Sequence, residues 1–310
     1  MGERQFDLQG HRGARGLWPE NTLGGFERAL SLGVSTLELD CAMTLDGVVV
    51  ISHDPELNPD HTRDDQGRFL ARPGPAIATL TYAQLARYDV GRIRPGTAYE
   101  QAHPQQQPLD GERIPPLADL YALIAKRGDH TVCLNVEVKT FPSQPALTAS
   151  PEVFTRALLA VVQASGMAAR TTIQCFDWRV LNCVHRLAPE LATGALTDQQ
   201  GIDDTVQFDQ PMPSPWLGGL DARQFEGSVP RLAAASECGT WSPNYLDLSA
   251  AQVAEAHALG LLVVPWTINE SADMARILAM DVDGMISDRP DLLRGALQAQ
   301  GRAWRVGERV

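Results

Sequence analysis

A closed barrel of eight parallel strands, each followed by a helix, is the architecture this sequence predicts, and three observations carry the expectation. Nine short runs of β-branched and apolar residues alternate with longer stretches of helical periodicity, the rhythm of parallel βα units. One run is joined to its predecessor across Asp46-Gly47, the strongest two-residue hairpin signal, so it lies antiparallel and leaves eight parallel strands. No glycine-rich GxGxxG or Walker loop follows any run, which weakens the rival open, doubly wound sheet. The α/β class is therefore a (β/α)8 or TIM barrel, whose chemistry sits at the C-terminal ends of the strands.

Residues 6–10 read as the first strand, followed by a helix over 22–32 that Gly33 ends. Strands at 36–43 and 48–52 form the hairpin. Residues 54–116 break the rhythm, punctuated by Asn58-Pro59-Asp60, Arg72-Pro73-Gly74-Pro75, Gln105-Gln106-Gln107-Pro108 and Pro115-Pro116, with one short helix at 82–88. That stretch is too poor in apolar residues for its own core. It reads as a small insertion over the barrel mouth, within one domain of residues 1–310. Later strands fall at 131–139, 171–176, 191–196, 241–246, 261–267 and 284–287. Helical patterns lie at 117–126, 152–164, 178–187, 250–259 and 272–280.

Composition narrows the function classes. The 310 residues carry 26 Lys+Arg against 38 Asp+Glu, a net charge of −12, so bulk charge repels a nucleic acid. With 44% hydrophobic and 21% charged residues, the chain has material for a core and is not disordered. The apolar run 261–266 is too short to span a bilayer. Five cysteines without CxxC spacing read as buried reduced thiols. The polar start at Met1-Gly2-Glu3-Arg4-Gln5 shows no signal peptide, so the expected compartment is the cytoplasm, or the periplasm or exterior if a leader was removed.

The chemistry begins at Glu38-Leu39-Asp40. Alternate strand residues share a face, so both carboxylates point the same way and repel unless a cation neutralises them. If Asp46 and Gly47 alone form the turn, paired positions sum to 93 and Asp40 faces His53. Asn135, Glu137 and Lys139 share a face of a later strand. A third carboxylate completes a hard oxygen site for one divalent cation, Mg²⁺ or Ca²⁺. Lys139 would neutralise an anionic substrate, and His11-Arg12-Gly13 ends the first strand with a proton carrier and a planar phosphate fork. Singly, each motif is as well explained by a salt bridge, a turn or a solvated strand end. Their convergence on one rim is what argues for a site.

These residues resemble the glycerophosphodiester phosphodiesterases. His11-Arg12-Gly13, Pro19-Glu20-Asn21-Thr22, Glu38-Leu39-Asp40, Thr44-x-Asp46-Gly47, His53-Asp54, Glu137-Val138-Lys139, Trp266-Thr267-Ile268-Asn269 and Asp283-Gly284 stand in that family's order across nearly the whole chain. The resemblance implies a barrel with an insertion after the second histidine, one divalent metal on Glu38, Asp40 and Glu137, and His11 and His53 as the acid–base pair. Departures stand at Gln174-Cys175-Phe176, usually Gln-Ser-Phe, at Pro116-Leu117-Ala118-Asp119, and at Pro59-Asp60-His61-Thr62. None touches the inferred metal ligands or histidines.

The implied reaction is hydrolysis of a small glycerophosphodiester to sn-glycerol 3-phosphate and an alcohol, with His11 assigned as base and His53 as acid. Arg12 and Lys139 bind phosphate. Trp266 lines the pocket or packs in the core, and Gln174 bonds the substrate or serves as a satisfied core amide. His61, His103, His130, His185 and His257 read as structural or exposed. The rivals are a lysophospholipase D-like activity on the same scaffold, a metal-dependent amidohydrolase and a non-catalytic phosphate-binding module. An amidohydrolase needs an HxH pair on its first strand, which this sequence lacks. Stable membrane insertion is not expected, and neither oligomeric state nor preferred headgroup is encoded in these patterns.

Overall fold

The computed structural model describes residues 5–305. Nine strands run in chain order: β1 Asp7–Gly10, β2 Thr36–Met43, β3 Val49–Ile51, β4 Cys133–Val138, β5 Thr171–Cys175, β6 Ala192–Thr197, β7 Thr240–Pro243, β8 Leu262–Val263 and β9 Gly284–Ser287. The helices are α1 Leu23–Leu32, α2 Tyr82–Leu85, α3 Ala98–Ala102, α4 Leu117–Lys126, α5 Pro151–Ser165, α6 Trp178–Leu187, α7 Val229–Ala235, α8 Ala250–Ala258, α9 Ser271–Leu278 and α10 Pro290–Ala299. The sheet runs β8-β7-β6-β5-β4-β2-β1-β9 with parallel neighbours, and β3 lies antiparallel on β2. Backbone bonds from Asp283 N to Val263 O (3.0 Å) and Ile286 N to Pro265 O (3.0 Å) join the two ends of that order. The result is a nearly closed (β/α)8 barrel.

Strand alternation divides the residues between two environments. On β2, Leu37, Leu39 and Cys41 face the helices while Thr36, Glu38 and Asp40 face the axis; on β4, Leu134, Val136 and Val138 alternate with Asn135 and Glu137. Phe26, Leu120, Phe154, Leu158, Trp178 and Leu181 cover the apolar face from the helices. Each fully buried side chain of this kind contributes about 1.5–3 kcal/mol. Short-range signals set the helix ends. Thr22 Oγ1 accepts from Gly25 N at the start of α1, and Gly33, at φ 82°, closes it in a left-handed conformation only glycine takes freely.

The hairpin differs from expectation. Cys41 pairs with Ile51, Ala42 with Val50 and Met43 with Val49, so positions sum to 92 and Ser52, not His53, opposes Asp40. The loop holds three residues, Leu45, Asp46 and Gly47. Thr44 N bonds Val48 O at 3.0 Å, and Gly47 at φ 81° supplies the left-handed step that matches strand twist. Strands β7 and β8 are shorter than the apolar runs suggested. Pro243 and Pro265 lack an N–H for the ladder, and residues 245–247 turn into a 3₁₀ segment beneath the Asn244 cap. Helices α7 and α10 were not anticipated; each carries a proline in its first turn, where it starts a helix rather than breaking one.

From 54 to 116 the described chain adds no barrel strand. Leu57, Ile77, Leu85, Val90 and Ile114 form a small apolar cluster completed by Ala42 and Val50 of the hairpin. The segment therefore borrows its core from the barrel. It returns through Pro115, whose carbonyl accepts from Ile51 N at 2.8 Å.

Candidate active site

Register assembles the acidic centre. Across β2 and β4, Glu38 pairs with Asn135 and Asp40 with Glu137, which brings carboxylate oxygens of Glu38, Asp40 and Glu137 within 4.8 Å of one another. All three side chains are buried. Such a cluster persists only with compensating charge. Lys139 Nζ lies 2.6 Å from Glu137 Oε1 and 3.1 Å from Asp40 Oδ1, and Arg12 Nε lies 3.2 Å from Asp40 Oδ2.

The His-Arg-Gly turn follows β1 directly. Arg12 takes φ 50° and Gly13 φ 91°, an uncommon backbone path that aims Arg12 N at Glu38 Oε2 (3.0 Å). Asn21, also left-handed at φ 56°, donates from Nδ2 to Asp40 Oδ2 at 3.0 Å. Glu20 accepts from Arg12 Nη1 at 2.9 Å.

Both histidines are gripped through Nδ1. His11 Nδ1 donates to Asp288 Oδ1 at 2.6 Å, and His53 Nδ1 to Asp54 Oδ1 at 2.7 Å. That assignment leaves each Nε2 free to exchange a proton, and the His11 Nε2 lies 3.8 Å from Glu38 Oε2. Asp288 is itself held by Arg15, whose Nε and Nη2 each donate at 3.0 Å, and by Asn269 Nδ2 at 2.8 Å. Asn58 Nδ2 donates to Asp54 at 2.7 Å.

Protonation follows from burial and neighbours. Burial lowers His11 to about 4 despite the opposing pull of Asp288. His53 is also lowered, by burial first and then by Arg12 and Lys139. For Asp40, burial favours the neutral form, but Lys139 and Arg12 together hold its carboxyl well below the usual range. Burial and the facing carboxylates push Glu38 up, and burial lifts Glu137 to about 7.

The residues fit a hard divalent cation. Three carboxylates converge, and the buried Asp40 Oδ1 makes no hydrogen bond beyond its approach to the Lys139 ammonium. Trp266 Nε1 donates to Ser242 O at 2.9 Å, and its ring meets Phe176 edge-on at 5.3 Å. Gln174 touches the centre from the barrel interior: its amide is bonded to Glu38 and Asn135, and it lines a cavity reaching toward the N-terminal end of the barrel.

Sequence reasoning missed several groups. Asp288 and Arg15 were not singled out, although Asp288 directly follows β9 and the residue after a barrel strand stands on the functional rim. Two histidines read as structural or exposed gather near the site instead. His61 and His103 flank Tyr99 at 5.6 and 4.7 Å, and the Tyr99 hydroxyl donates to Glu20. No short-range pattern in the 54–116 stretch announces that contact.

Comparisons with known proteins agree with this fold. Residues 11–292 match the model of the glycerophosphoryl diester phosphodiesterase family. A glycerophosphodiester phosphodiesterase from Caldanaerobacter subterraneus subsp. tengcongensis is 26% identical over 291 residues, covering 94% of this chain and 97% of its own. A crystal structure from Silicibacter pomeroyi DSS-3 that carries the family name is 36% identical, with TM-score 0.86 over 97% of this chain and 96% of that one. An Oleispira antarctica phosphodiesterase, described in complex with the product sn-glycerol-3-phosphate, is 23% identical and shares the fold at TM-score 0.65 over 94% and 96% of the two chains. With that match over nearly its whole length and a relative above 30% identity, the chain belongs to the glycerophosphoryl diester phosphodiesterase family.

Proposed function

We propose that this enzyme hydrolyses small glycerophosphodiesters to sn-glycerol 3-phosphate and an alcohol by two-histidine acid–base catalysis. One observation carries the reading: two imidazoles, each fixed through Nδ1 by a carboxylate, flank a buried triad of carboxylates at the end of a barrel. Glu38, Asp40 and Glu137 would hold the divalent cation, which when bound supplies positive charge to a phosphoryl oxygen.

The chain's own residues do the rest. Arg12 and Lys139 draw the phosphodiester in against the overall charge of −12, because charges at contact distance outweigh a screened global field. His11, neutral at physiological pH with its Nε2 lone pair toward the site, removes the proton from the attacking hydroxyl. That hydroxyl is water or the adjacent glycerol oxygen; with the latter, water then opens a cyclic phosphate. As the phosphorus–oxygen bond to the alcohol breaks, His53 protonates the departing oxygen, and Asp54 stabilises the imidazolium that supplies the proton. In the ring-opening step the roles exchange. Trp266 and Phe176 present aromatic surface to the glycerol or headgroup, and residues 54–116 act as an insertion over the mouth through Tyr99 and its histidines.

The test is turnover of glycerophosphocholine, a lysolipid and bis-p-nitrophenyl phosphate by the purified chain, with and without EDTA. Cleavage of glycerophosphocholine that EDTA abolishes is expected. Metal-independent turnover would overturn the role given to the carboxylates, and preference for the lysolipid would favour the lysophospholipase D-like alternative. Among the described residues, no helix is long and apolar enough to cross a membrane.

A further inference from the structure

We infer that Gln9, Asn135 and Gln174 form an amide ladder that orients Glu38 from beneath the active site, making all three positioning residues for cation binding. The inference rests on the reading of Glu38 as a metal ligand.

The ladder crosses the barrel interior. Gln9 Nε2 donates to Asp7 Oδ2 at 2.9 Å, and Asn135 Nδ2 donates to Gln9 Oε1 and to Gln174 Oε1, both at 2.9 Å. Gln174 Nε2 donates to Glu38 Oε1 at 3.0 Å. With Asp7 ionised and Glu38 ionised as a cation ligand would be, the group at each end can only accept, so the hydrogen-bond polarity of every rung is dictated. Each glutamine must turn its NH₂ outward to its carboxylate and its oxygen inward to Asn135. The asparagine then has one N–H for each. Turning over any one amide sets oxygen against oxygen or nitrogen against nitrogen. The Asp7 end is anchored by Thr36 Oγ1 at 2.7 Å.

Two further observations separate this arrangement from ordinary core satisfaction. Glu38 is held at both oxygens, Oε1 by Gln174 and Oε2 by the Arg12 N–H, which fixes the plane of its carboxylate. Asn135 is 4% exposed, yet its Oδ1 has no hydrogen-bond partner, and its side chain lines a cavity of about 310 Å³ shared with Gln9, Gln174, Thr172 and Ser242. The fold keeps Asn135's two donors for the glutamines and leaves its acceptor buried without a partner. A core amide present only for packing would have that acceptor paired. Groups that orient a metal ligand from outside the coordination sphere typically change affinity 10–100-fold when lost.

The decisive variants lie at Gln9, which bonds none of the three carboxylates of the triad. Gln9→Met removes the acceptor that fixes Asn135. Gln9→Glu keeps an oxygen facing Asn135, and beside the Asp7 carboxylate it takes the protonated form whose O–H donates to Asp7 in place of the amide, so it should rescue the ladder. Asn135→Asp removes both donors at the centre. The readout is calorimetric titration of the metal-stripped full-length chain with Mg²⁺ and with Ca²⁺, without substrate, alongside its melting temperature. Gln9→Met and Asn135→Asp should weaken cation binding about 10–100-fold, while Gln9→Glu retains wild-type affinity. If Asn135→Asp fails to fold, the Gln9 pair decides alone. Wild-type affinity in Gln9→Met, or equal losses in Gln9→Met and Gln9→Glu, would overturn the ladder and leave the metal site standing. A wild-type chain that binds neither cation would overturn the metal reading itself, and the ladder's role with it.

Discussion

Replacing Asp288 by asparagine isolates what this carboxylate does for His11. The two side chains are nearly isosteric, so packing is kept. An asparagine can instead present an NH₂ group to Nδ1, which must then accept, and the imidazole proton moves to Nε2. That is the nitrogen which has to be free to take a proton. The interaction removed is a 2.6 Å charge-assisted bond between groups only 8% and 1% exposed, of a kind that contributes about 1.5–3 kcal/mol. A general base in the wrong tautomer forfeits about 10²–10⁴ in rate, so kcat should fall by that factor while KM changes little. The pH profile moves as well. Burial lowers His11 to about 4, and Asp288 opposes that shift. Without Asp288 the pKa drops further, so the acid limb of kcat/KM, set by His11 losing its proton, moves to lower pH. Both effects are read from glycerol 3-phosphate release from glycerophosphocholine across the acid limb. A melting curve serves as the fold control, because Arg15 and Asn269 also lose a partner. A folded variant with wild-type kcat, or an acid limb displaced upward, would refute the role given to Asp288.

His11→Ala and His53→Ala should each abolish turnover while leaving the circular dichroism spectrum unchanged; activity near wild type in either would remove that histidine from the mechanism. Stability should also depend on pH through His11. Its folded pKa of about 4 lies below the ordinary 6.5, so between those values the unfolded chain takes up a proton that the folded chain refuses, and stability falls as pH falls. The separation bounds the effect at about 3 kcal/mol, and denaturant titrations of His11→Asn should show a correspondingly shallower decline; an unchanged slope would count against the buried, neutral imidazole. Gly10→Ala should lower both melting temperature and activity, because its methyl group would stand 2.0 Å from the Gly13 carbonyl oxygen. Relieving that clash requires moving the His-Arg-Gly turn, at a cost of at least about 1–3 kcal/mol, and an active, equally stable variant would show that the turn has more freedom than its geometry implies.

The barrel and its acidic centre were legible in the sequence for a definite reason. A strand's faces alternate every two residues, so Glu38 with Asp40 and Glu137 with Lys139 could be placed toward the axis without knowing any long-range contact. Residue order likewise put His11 at the end of the first strand. Register was another matter. A third loop residue moved the hairpin pairing by one and set Ser52 against Asp40, since the turn, not the strands, counts the residues. Helices α7 and α10 were hidden because proline, read as a breaker, also starts helices.

The sequence by itself thus determined the eight-strand barrel and which carboxylates face its axis, because that information is periodic and local. Tertiary structure alone decided what controls them. Asp288 reaches His11 from 277 residues away because barrel closure sets β9 beside β1. The stretch 54–116 brings Tyr99 to Glu20, and three amides meet beneath Glu38 only when strands β1, β4 and β5 converge on the axis. Partnerships of this kind depend on distances across a closed fold, which no spacing along the chain records.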